Sequence, residues 1–150
     1  MEQSDAKELN CWKLWLRERI IKMHKMTQAE FNVLERSKSG YLVIPEHTDC
    51  TEIDFGAVDK VIFGDGCKLG GYCELGNYCV LGDNCELGYG CELGDNCVLG
   101  YGCILGGGCI LGDECKLCSY CVLGDECELG KRCRLGEGCR LGEYNNVRAI

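Results

Sequence analysis

The sequence feature that most constrains the fold is a six-residue phrase, Gly-x-x-Cys-x-Leu, which repeats from Gly64 to Leu141. Cysteine recurs at every sixth position from Cys67 to Cys139, which makes thirteen repeats without an insertion. An α-helix, with about 3.6 residues per turn, cannot hold positions six apart on one side. A chain that turns a corner at each glycine can, because cysteine and leucine then point inward and the residue between them points outward.

Three such corners close a triangular coil of eighteen residues, and successive coils stack at the strand spacing of about 4.8 Å. The second x of the phrase supports a corner, because it is glycine or asparagine in seven repeats, and these residues accept a left-handed backbone. In the other six repeats this position either tolerates the left-handed backbone or uses another corner geometry. These six residues are Tyr72, Tyr78, Glu114, Tyr120, Glu126 and Arg132.

In the frame Leu-Gly-x-x-Cys-x, the phrase resembles the repeat of the hexapeptide-repeat, left-handed parallel β-helix superfamily. That family places a glycine after an aliphatic residue and a small residue four positions after it. Cysteine at every small position departs from the family, which more often uses alanine, serine, threonine or valine there. Left-handedness is implied by the resemblance alone, since crossovers between parallel strands are otherwise right-handed. The predicted fold class is an all-β solenoid, a left-handed parallel β-helix with triangular coils of eighteen residues, plus an N-terminal α-helical appendage.

Most of the sixteen cysteines are interpreted as reduced thiols that pack in the core, because free cysteine behaves as a small buried hydrophobe. Disulfide ladders are the main alternative, but stacked neighbours have parallel side-chain vectors that suit a bridge poorly. The spacing is not that of zinc ligands, and charged thiolates would sit in a dry core, so we predict no metal and no cofactor. Cys118 replaces a corner glycine and is either a neutral variant or an exposed, reactive thiol.

Residues 1–40 are predicted to form the helical appendage, and residues 41–150 the β-helix. A basic amphipathic helix is expected at about residues 5–26, and Thr27 with Glu30 forms a capping box that predicts a short helix at about 28–37. The first helix either packs on the solenoid or a neighbouring subunit, or attaches to a membrane surface. Its apolar face consists of Leu9, Trp12, Trp15, Leu16, Ile20 and Met23.

The best-known enzymes of the superfamily are acyltransferases and gamma-class carbonic anhydrases. The resemblance would imply a catalytic histidine beside a subunit cleft in the former and three zinc-binding histidines in the latter. This chain has only His24 and His47, both outside the regular coils, and no motif for a phosphate loop or a nucleophile–base pair. We therefore predict no catalysis and identify no small-molecule substrate. A hexapeptide-repeat acyltransferase is the remaining enzymatic alternative.

The net charge of −8 argues against non-specific binding of nucleic acid. No apolar run approaches membrane-spanning length, and the first residues lack the pattern of a secretory signal. These features predict a cytoplasmic protein, with membrane association through residues 5–26 as an alternative.

Charge is polarised along the expected solenoid axis, and this pattern predicts self-association. Acidic residues precede the regular repeats, including Glu52, Asp54 and Asp59, and basic residues occupy the last repeats, namely Lys131, Arg132, Arg134 and Arg140. Head-to-tail stacking of these ends would be heterologous and would produce filaments. Two outward apolar pairs, Val80 with Val98 and Ile104 with Val122, indicate lateral packing. The alternative is a closed trimer formed through the flat faces, serving as a scaffold or binding module.

Overall fold

The computed structural model describes residues 23–148, which form a parallel β-solenoid with one short helix, α1 (Gln28–Asn32). About six coils stack on one another, each turning through three short strands. The strands are β1 (His24–Lys25), β2 (Leu42–Ile44), β3 (Thr48–Cys50), β4 (Val61–Phe63), β5 (Lys68–Leu69), β6 (Glu74–Leu75), β7 (Val80–Leu81), β8 (Glu86–Leu87), β9 (Glu92–Leu93), β10 (Val98–Leu99), β11 (Ile104–Leu105), β12 (Ile110–Leu111), β13 (Lys116–Leu117), β14 (Val122–Leu123), β15 (Glu128–Leu129), β16 (Arg134–Leu135), β17 (Arg140–Leu141) and β18 (Asn146–Val147).

The strands assemble into three parallel sheets, one on each side of the triangle. The first face has the order β1-β3-β5-β8-β11-β14-β17, the second β6-β9-β12-β15-β18, and the third β2-β4-β7-β10-β13-β16. In the regular coils each residue lies opposite the residue eighteen positions later, as where Ile104 pairs with Val122. The predicted coil length and the predicted parallel β-solenoid are confirmed.

The interior is lined by the repeated cysteines and leucines. Every one of them from Cys67 to Leu129 is at most 8 % exposed. The residue between each cysteine and leucine points outward, as the alternation of a strand requires. The prediction that thiols and leucines share the core is confirmed over these coils.

The second x of the phrase turns the corner with a left-handed backbone in every repeat. The glycines and asparagines do so, and the six bulkier residues also tolerate it, with φ between 57° and 61°. The first residue of the phrase is glycine for a different reason, the close approach of successive coils. A Cβ on Gly100 would lie 2.6 Å from the backbone of Gly82 in the coil before. Cys118, which replaces one such glycine, keeps the ladder hydrogen bond, its N–H donating to the Leu99 carbonyl over 2.9 Å.

The N-terminal segment differs from the prediction. Residues 1–22 lie outside the described part of the chain, and with them five residues of the predicted apolar face, Leu9, Trp12, Trp15, Leu16 and Ile20. The predicted helix does not extend to Met26, because residues 24–25 form β1, which pairs with β3. The Met26 N–H donates to the Asp49 carbonyl over 2.9 Å, and its side chain is buried. This stretch adds a rung to the first face; Met23, just before it, is half-buried.

The second predicted helix is present but shorter than expected. The capping box is confirmed: the Thr27 hydroxyl accepts from the Glu30 N–H, and the Glu30 carboxylate accepts from the Thr27 N–H. The helix ends at Asn32 rather than near residue 37, and a turn follows in which the Gly40 N–H donates to the Ser37 carbonyl.

Candidate assembly surfaces

The C-terminal coil is the least covered part of the described solenoid. Its strands, β16, β17 and β18, are the last of their sheets and pair on one side only. Leu141 is 45 % exposed and Val147 39 %, whereas Leu123 and Leu129, one coil earlier, are each 1 % exposed. Cys133, Leu135 and Cys139 are half-buried. Inward-facing residues of this coil are therefore uncovered because no further coil lies on them within residues 23–148.

The four basic residues predicted at this end are brought together there and are all exposed: Lys131, Arg132, Arg134 and Arg140. Arg132 forms an ion pair with Glu114 of the coil before. Within residues 23–148 neither Arg134 nor Arg140 forms an ion pair. The C-terminal coil thus exposes both apolar interior side chains and basic side chains, Arg134 and Arg140, that form no ion pair within residues 23–148.

The N-terminal coil is closed by residues that do not follow the repeat. Phe31 of α1 meets Phe55 edge-to-face with ring centroids 5.1 Å apart, and Phe55 meets Phe63 in the same way at 5.4 Å. Ile44 and Cys50 are fully buried. The first coil therefore has a filled interior, unlike the last.

The three acidic residues predicted as the complementary surface are exposed but already have internal partners. The Glu52 carboxylate lies 2.9 Å from the Lys25 ammonium, an exposed ion pair. The Asp54 carboxylate accepts from the Gly56 N–H, and the Asp59 carboxylate accepts from the Asn77 N–H of the next coil over 2.7 Å. Their charge remains at the surface, but Asp59 also serves the fold as a link between coils.

The loop that contains Glu52 and Asp54 is a local insertion. Ile44 pairs with Phe63, a step of 63 − 44 = 19, whereas Phe63 pairs with Leu81, a step of 81 − 63 = 18. An open groove of about 560 Å³ lies between this loop and residues 70–74, and Glu52, Asp54 and Glu74 are among the residues that line it. The regular phrase begins only after this loop, so its periodicity gave no sign of the groove.

The outward apolar residues predicted for lateral packing form two separate pairs, and Val43 and Ile62 extend the pair on the third face. Val80 and Val98 are neighbours on the third face and half-buried. Ile104 and Val122 are neighbours on the first face, 47 % and 37 % exposed. The predicted adjacency within each pair is confirmed, and the first face carries the more exposed one.

Exposed tyrosines at the corners are a feature that sequence reasoning missed. Tyr101 and Tyr120 lie on consecutive turns of the corner that leads into the first face, with ring centroids 5.3 Å apart. Tyr72 and Tyr89 meet at the corner on the other side of that face, at 5.7 Å. The sequence does contain a sign of them, because each of these tyrosines occupies one of the first two x positions of the phrase. Side chains at those corner positions point away from the core.

The cysteines have a second role that packing alone did not suggest. Each cysteine at the Cys position of the phrase, from Cys85 to Cys139, donates its S–H to the carbonyl 21 residues earlier, with Sγ–O distances of 3.1–3.4 Å. That carbonyl belongs to the corner residue of the coil before. Burial raises the pKa of the Cys50 thiol to about 12 and also raises the pKa of Cys127, Cys133 and Cys139, which keeps these thiols protonated at neutral pH.

The fifteen described cysteines are unpaired, and Cys118 is half-buried. In the part of the chain that the structure describes, no group of three metal-ligating side chains converges. No helix there has the length and apolarity to span a bilayer.

The two histidines lie at the N-terminal end of the described chain. The His24 ring is 3.2 Å from the Glu30 carboxylate, on the surface. The ring of His47 fills the space beside Gly66, where a Cβ would meet it at 2.5 Å. Neither position tests the expectation that the protein is not an enzyme, which stays a prediction.

The comparison with protein families finds a match in the regular coils. Residues 90–125 match the family model described as bacterial transferase hexapeptide (six repeats). The search of curated proteins and the search of solved structures gave no match. The matched residues lie within the regular coils, where the cysteine–leucine phrase, the parallel sheets and the stacked corners are most complete.

Proposed function

Because residues 90–125 match the hexapeptide-repeat family and the last coil is uncovered within residues 23–148, we propose that this is a structural protein that assembles end to end. The C-terminal coil of one copy docks on the N-terminal end of the next. Such a head-to-tail contact uses two different surfaces and does not close on itself, so it extends into a filament.

The observation that carries this proposal is the exposure of inward-facing residues at one end. Leu141 and Val147 occupy the positions that Leu123 and Leu129 occupy one coil earlier, yet they are largely uncovered. Burying such a side chain is worth about 1.5–3 kcal/mol. Unpaired strand edges also seek partners, and natural proteins usually cover them. A second copy supplies both the apolar cover and the missing strands.

Charge supports the head-to-tail direction. Arg134 and Arg140 are unpaired within residues 23–148, while Glu52 and Asp54 present negative charge at the opposite end. Complementary ends accelerate association and disfavour like-with-like contacts. The ion pair of Glu52 with Lys25 weakens this attraction but does not remove it, since both side chains stay exposed.

The closed N-terminal coil favours a second candidate, a tail-to-tail dimer. Phe31 and Met26 are buried at that end, so an incoming coil finds no open apolar core there. Two C-terminal coils facing one another would cover each other's exposed leucines through an isologous contact that stops at two chains.

Sedimentation and negative-stain microscopy across protein and salt concentrations test the proposal. A head-to-tail polymer gives filaments whose mass grows with concentration and falls with salt, because salt screens the end charges. A tail-to-tail dimer stops at two chains, and the predicted trimer stops at three. Single-chain particles at every condition would contradict end-to-end assembly.

Matched variants locate the contact. Leu141→Asp should abolish assembly, whereas Ile110→Asp, at a position 40 % exposed in the middle of the second face, should leave it intact. Arg134→Glu should weaken assembly, and Lys116→Glu, one coil inward on the same face, should not. Glu52→Lys separates the two candidates, because it weakens only the head-to-tail contact.

The predicted membrane attachment is tested by co-sedimentation with anionic liposomes, with and without residues 5–22. Binding that depends on this segment would support a membrane-attached scaffold, and binding that survives its removal would contradict it.

A further inference from the structure

We propose that the first face is a second, lateral assembly surface, on which two copies of this chain pack face to face with their solenoid axes antiparallel. The outward residues of its five C-terminal strands, β5, β8, β11, β14 and β17, are Lys68, Glu86, Ile104, Val122 and Arg140. The two central residues are aliphatic and exposed, and opposite charges flank them.

This row is complementary to itself when it is reversed. Consider a two-fold axis midway between β11 and β14, half a strand spacing from Ile104 and from Val122. This axis places Ile104 of each copy opposite Val122 of the other copy. The same axis lies one and a half rungs from Glu86 and from Arg140, so each Glu86 meets an Arg140. An isologous interface requires this property, in which residue i contacts j and j contacts i.

The corner beside the face obeys the same symmetry. Tyr101 precedes Ile104 and Tyr120 precedes Val122, and their rings already contact each other within one chain. The rotation that exchanges Ile104 with Val122 brings Tyr101 beside Tyr120 of the second copy. Tyrosine is enriched in protein interfaces because it combines a large apolar ring with a polar tip. The rim of the patch therefore extends its apolar centre.

The other two faces lack this complementarity. Reversing the second face about Ile110 would bring Glu92 opposite Glu128, a contact between like charges. On the third face the apolar row Val43, Ile62, Val80 and Val98 also meets its own reverse without repulsion, but it contains no charges that pair, and Ile62, Val80 and Val98 are half-buried. Among the faces, only the first combines exposed apolar residues at its centre with opposite charges that pair on reversal.

The charges on the first face are available at the surface. Glu86 lies 3.7 Å from Lys68 in its own chain, with both side chains about half exposed. Arg140 forms no ion pair within residues 23–148. In the paired state Glu86 gains a second positive neighbour, and Arg140 gains its first negative one.

The size of the patch sets the strength of the contact. Four rungs at about 4.8 Å, on a face about 16 Å wide, give roughly 300 Å² per copy. A standard interface buries about 800 Å² per partner, so this contact is weak in isolation. It becomes effective when copies are already held in an array, because linked contacts add through effective concentration. Lateral pairing would then join filaments into antiparallel pairs.

Sedimentation equilibrium of the full chain carrying Leu135→Asp and Val147→Asp tests the inference, since these changes place charge in the interior of the last coil on the third and second faces and alter no residue of the first face. Because the contact is weak in isolation, the average mass should rise above one chain only at the highest protein concentrations and should approach, without exceeding, two chains. Glu86→Arg should weaken this dimerisation by about tenfold or more, because two symmetric charge pairs become repulsive. Adding Arg140→Glu should restore it by exchanging the two charges. The exchanged variant still has a cation at position 86 beside Lys68, so rescue cannot come from the intrachain pair.

Glu92→Arg, on the second face of the same coil, is the matched control and should leave the dimer unchanged. The inference is overturned by a mass of one chain at every concentration or by a plateau at three chains. Insensitivity to Glu86→Arg, failure of the exchanged variant to recover, or equal loss in the Glu92→Arg control overturns it as well. Because Glu86 is remote from both ends, a failed end-to-end assembly in the wild-type chain leaves this test unaffected.

Discussion

The two ends of the solenoid differ in how the interior residues of the end coil are covered. At the N-terminal end the interior is filled by non-repetitive residues, among them Phe31, Phe55 and Ile44, and all three are buried. At the C-terminal end the repeat simply continues, and Leu141 and Val147 are exposed. A repeating unit always leaves uncovered the surface that its next copy would cover. Closing an end therefore requires residues that break the repeat, and within residues 23–148 only the N-terminal end has them.

The largest expected difference between the ends is in thiol reactivity. Under native conditions a small alkylating reagent should reach Cys139 and Cys133 without unfolding, because both are half-buried at the open end, although the raised pKa of each thiol slows its reaction. Cys50, in the filled coil, is fully buried and should react about a thousandfold more slowly, since it must wait for unfolding. Peptide mapping by mass spectrometry over time measures the rates. Equal rates at Cys50 and Cys139 would remove the distinction between the ends.

Alkaline pH should destabilise the protein through the buried thiol of Cys50. Burial raises the pKa of Cys50 from its ordinary value of 9.0 to about 12. A group whose folded pKa is raised contributes stability that is complete below pH 9 and is lost as the pH rises toward 12. The urea midpoint followed by circular dichroism should therefore be level from pH 7 to 8.5 and fall steeply above pH 9.

Cys50→Ala should move the onset of this fall to higher pH, although the variant starts from lower stability because a cavity replaces the thiol. A midpoint that stays level to pH 11 would show that the thiols are not held neutral by burial.

Truncating the aromatic packing at the closed end should cost more than truncating the open end. Phe55→Ala removes a ring that contacts both Phe31 and Phe63, so the free energy of unfolding should fall by about 3–5 kcal/mol. Leu141→Ala should cost less than about 1 kcal/mol, because its side chain is already half exposed. Urea denaturation below the concentration of assembly measures both. A large loss for Leu141→Ala in the single chain would mean that the last coil is better covered than the structure indicates.

The hydrogen bonds of the cysteine ladder predict a smaller, chemically specific effect. Cys103 donates to the Gly82 carbonyl over 3.2 Å, so Cys103→Ala should lower the free energy of unfolding by about 1–2 kcal/mol and leave that carbonyl without its partner. Cys103→Ser keeps a donor at the same position and should lose less. If serine proves worse than alanine, the thiol serves only as a small hydrophobe.

The smallest effect is expected from the ion pair between the last two coils. Arg132→Ala removes the contact with Glu114, but the pair is exposed, so the free energy of unfolding should change by less than about 0.5 kcal/mol. The same assay on Arg134→Glu should also show little change, even though that variant is expected to impair assembly. A marked loss of stability in either variant would assign the C-terminal charges to folding rather than to association.

Much of the regular region could be predicted because its phrase repeats in strict register. Cysteine, leucine and the corner residues recur in thirteen consecutive repeats, and only a six-residue period fits them all. This period gives the coil length, the inward residues and the face on which each outward residue lies. The first coil could not be predicted in this way. Ile44 pairs with Phe63 and Cys50 with Leu69, each a step of 19 residues, so the loop shifts the register of these interior residues by one.

The segment before Thr27 shows why local patterns mislead at an end. Met23 and Met26 continue a helical spacing, yet the edge of the first face offers unpaired backbone groups to residues 24–25, and strand pairing wins. Backbone pairing with a distant strand is invisible in a local hydrophobic pattern. The outward residues of the first face could likewise be assigned from the sequence. Their two-fold complementarity could be recognised only when the structure showed which strands are neighbours.

The amino-acid sequence by itself determined the six-residue corner, the eighteen-residue coil and the burial of Cys and Leu, because these depend on steric rules that act within a few residues and repeat. Only the tertiary structure decided that the cysteines donate to carbonyls 21 residues earlier, that aromatic rings fill one end, and that the other end is uncovered. Those outcomes depend on atoms from different coils meeting in space, and their separation along the chain varies where the repeat fails.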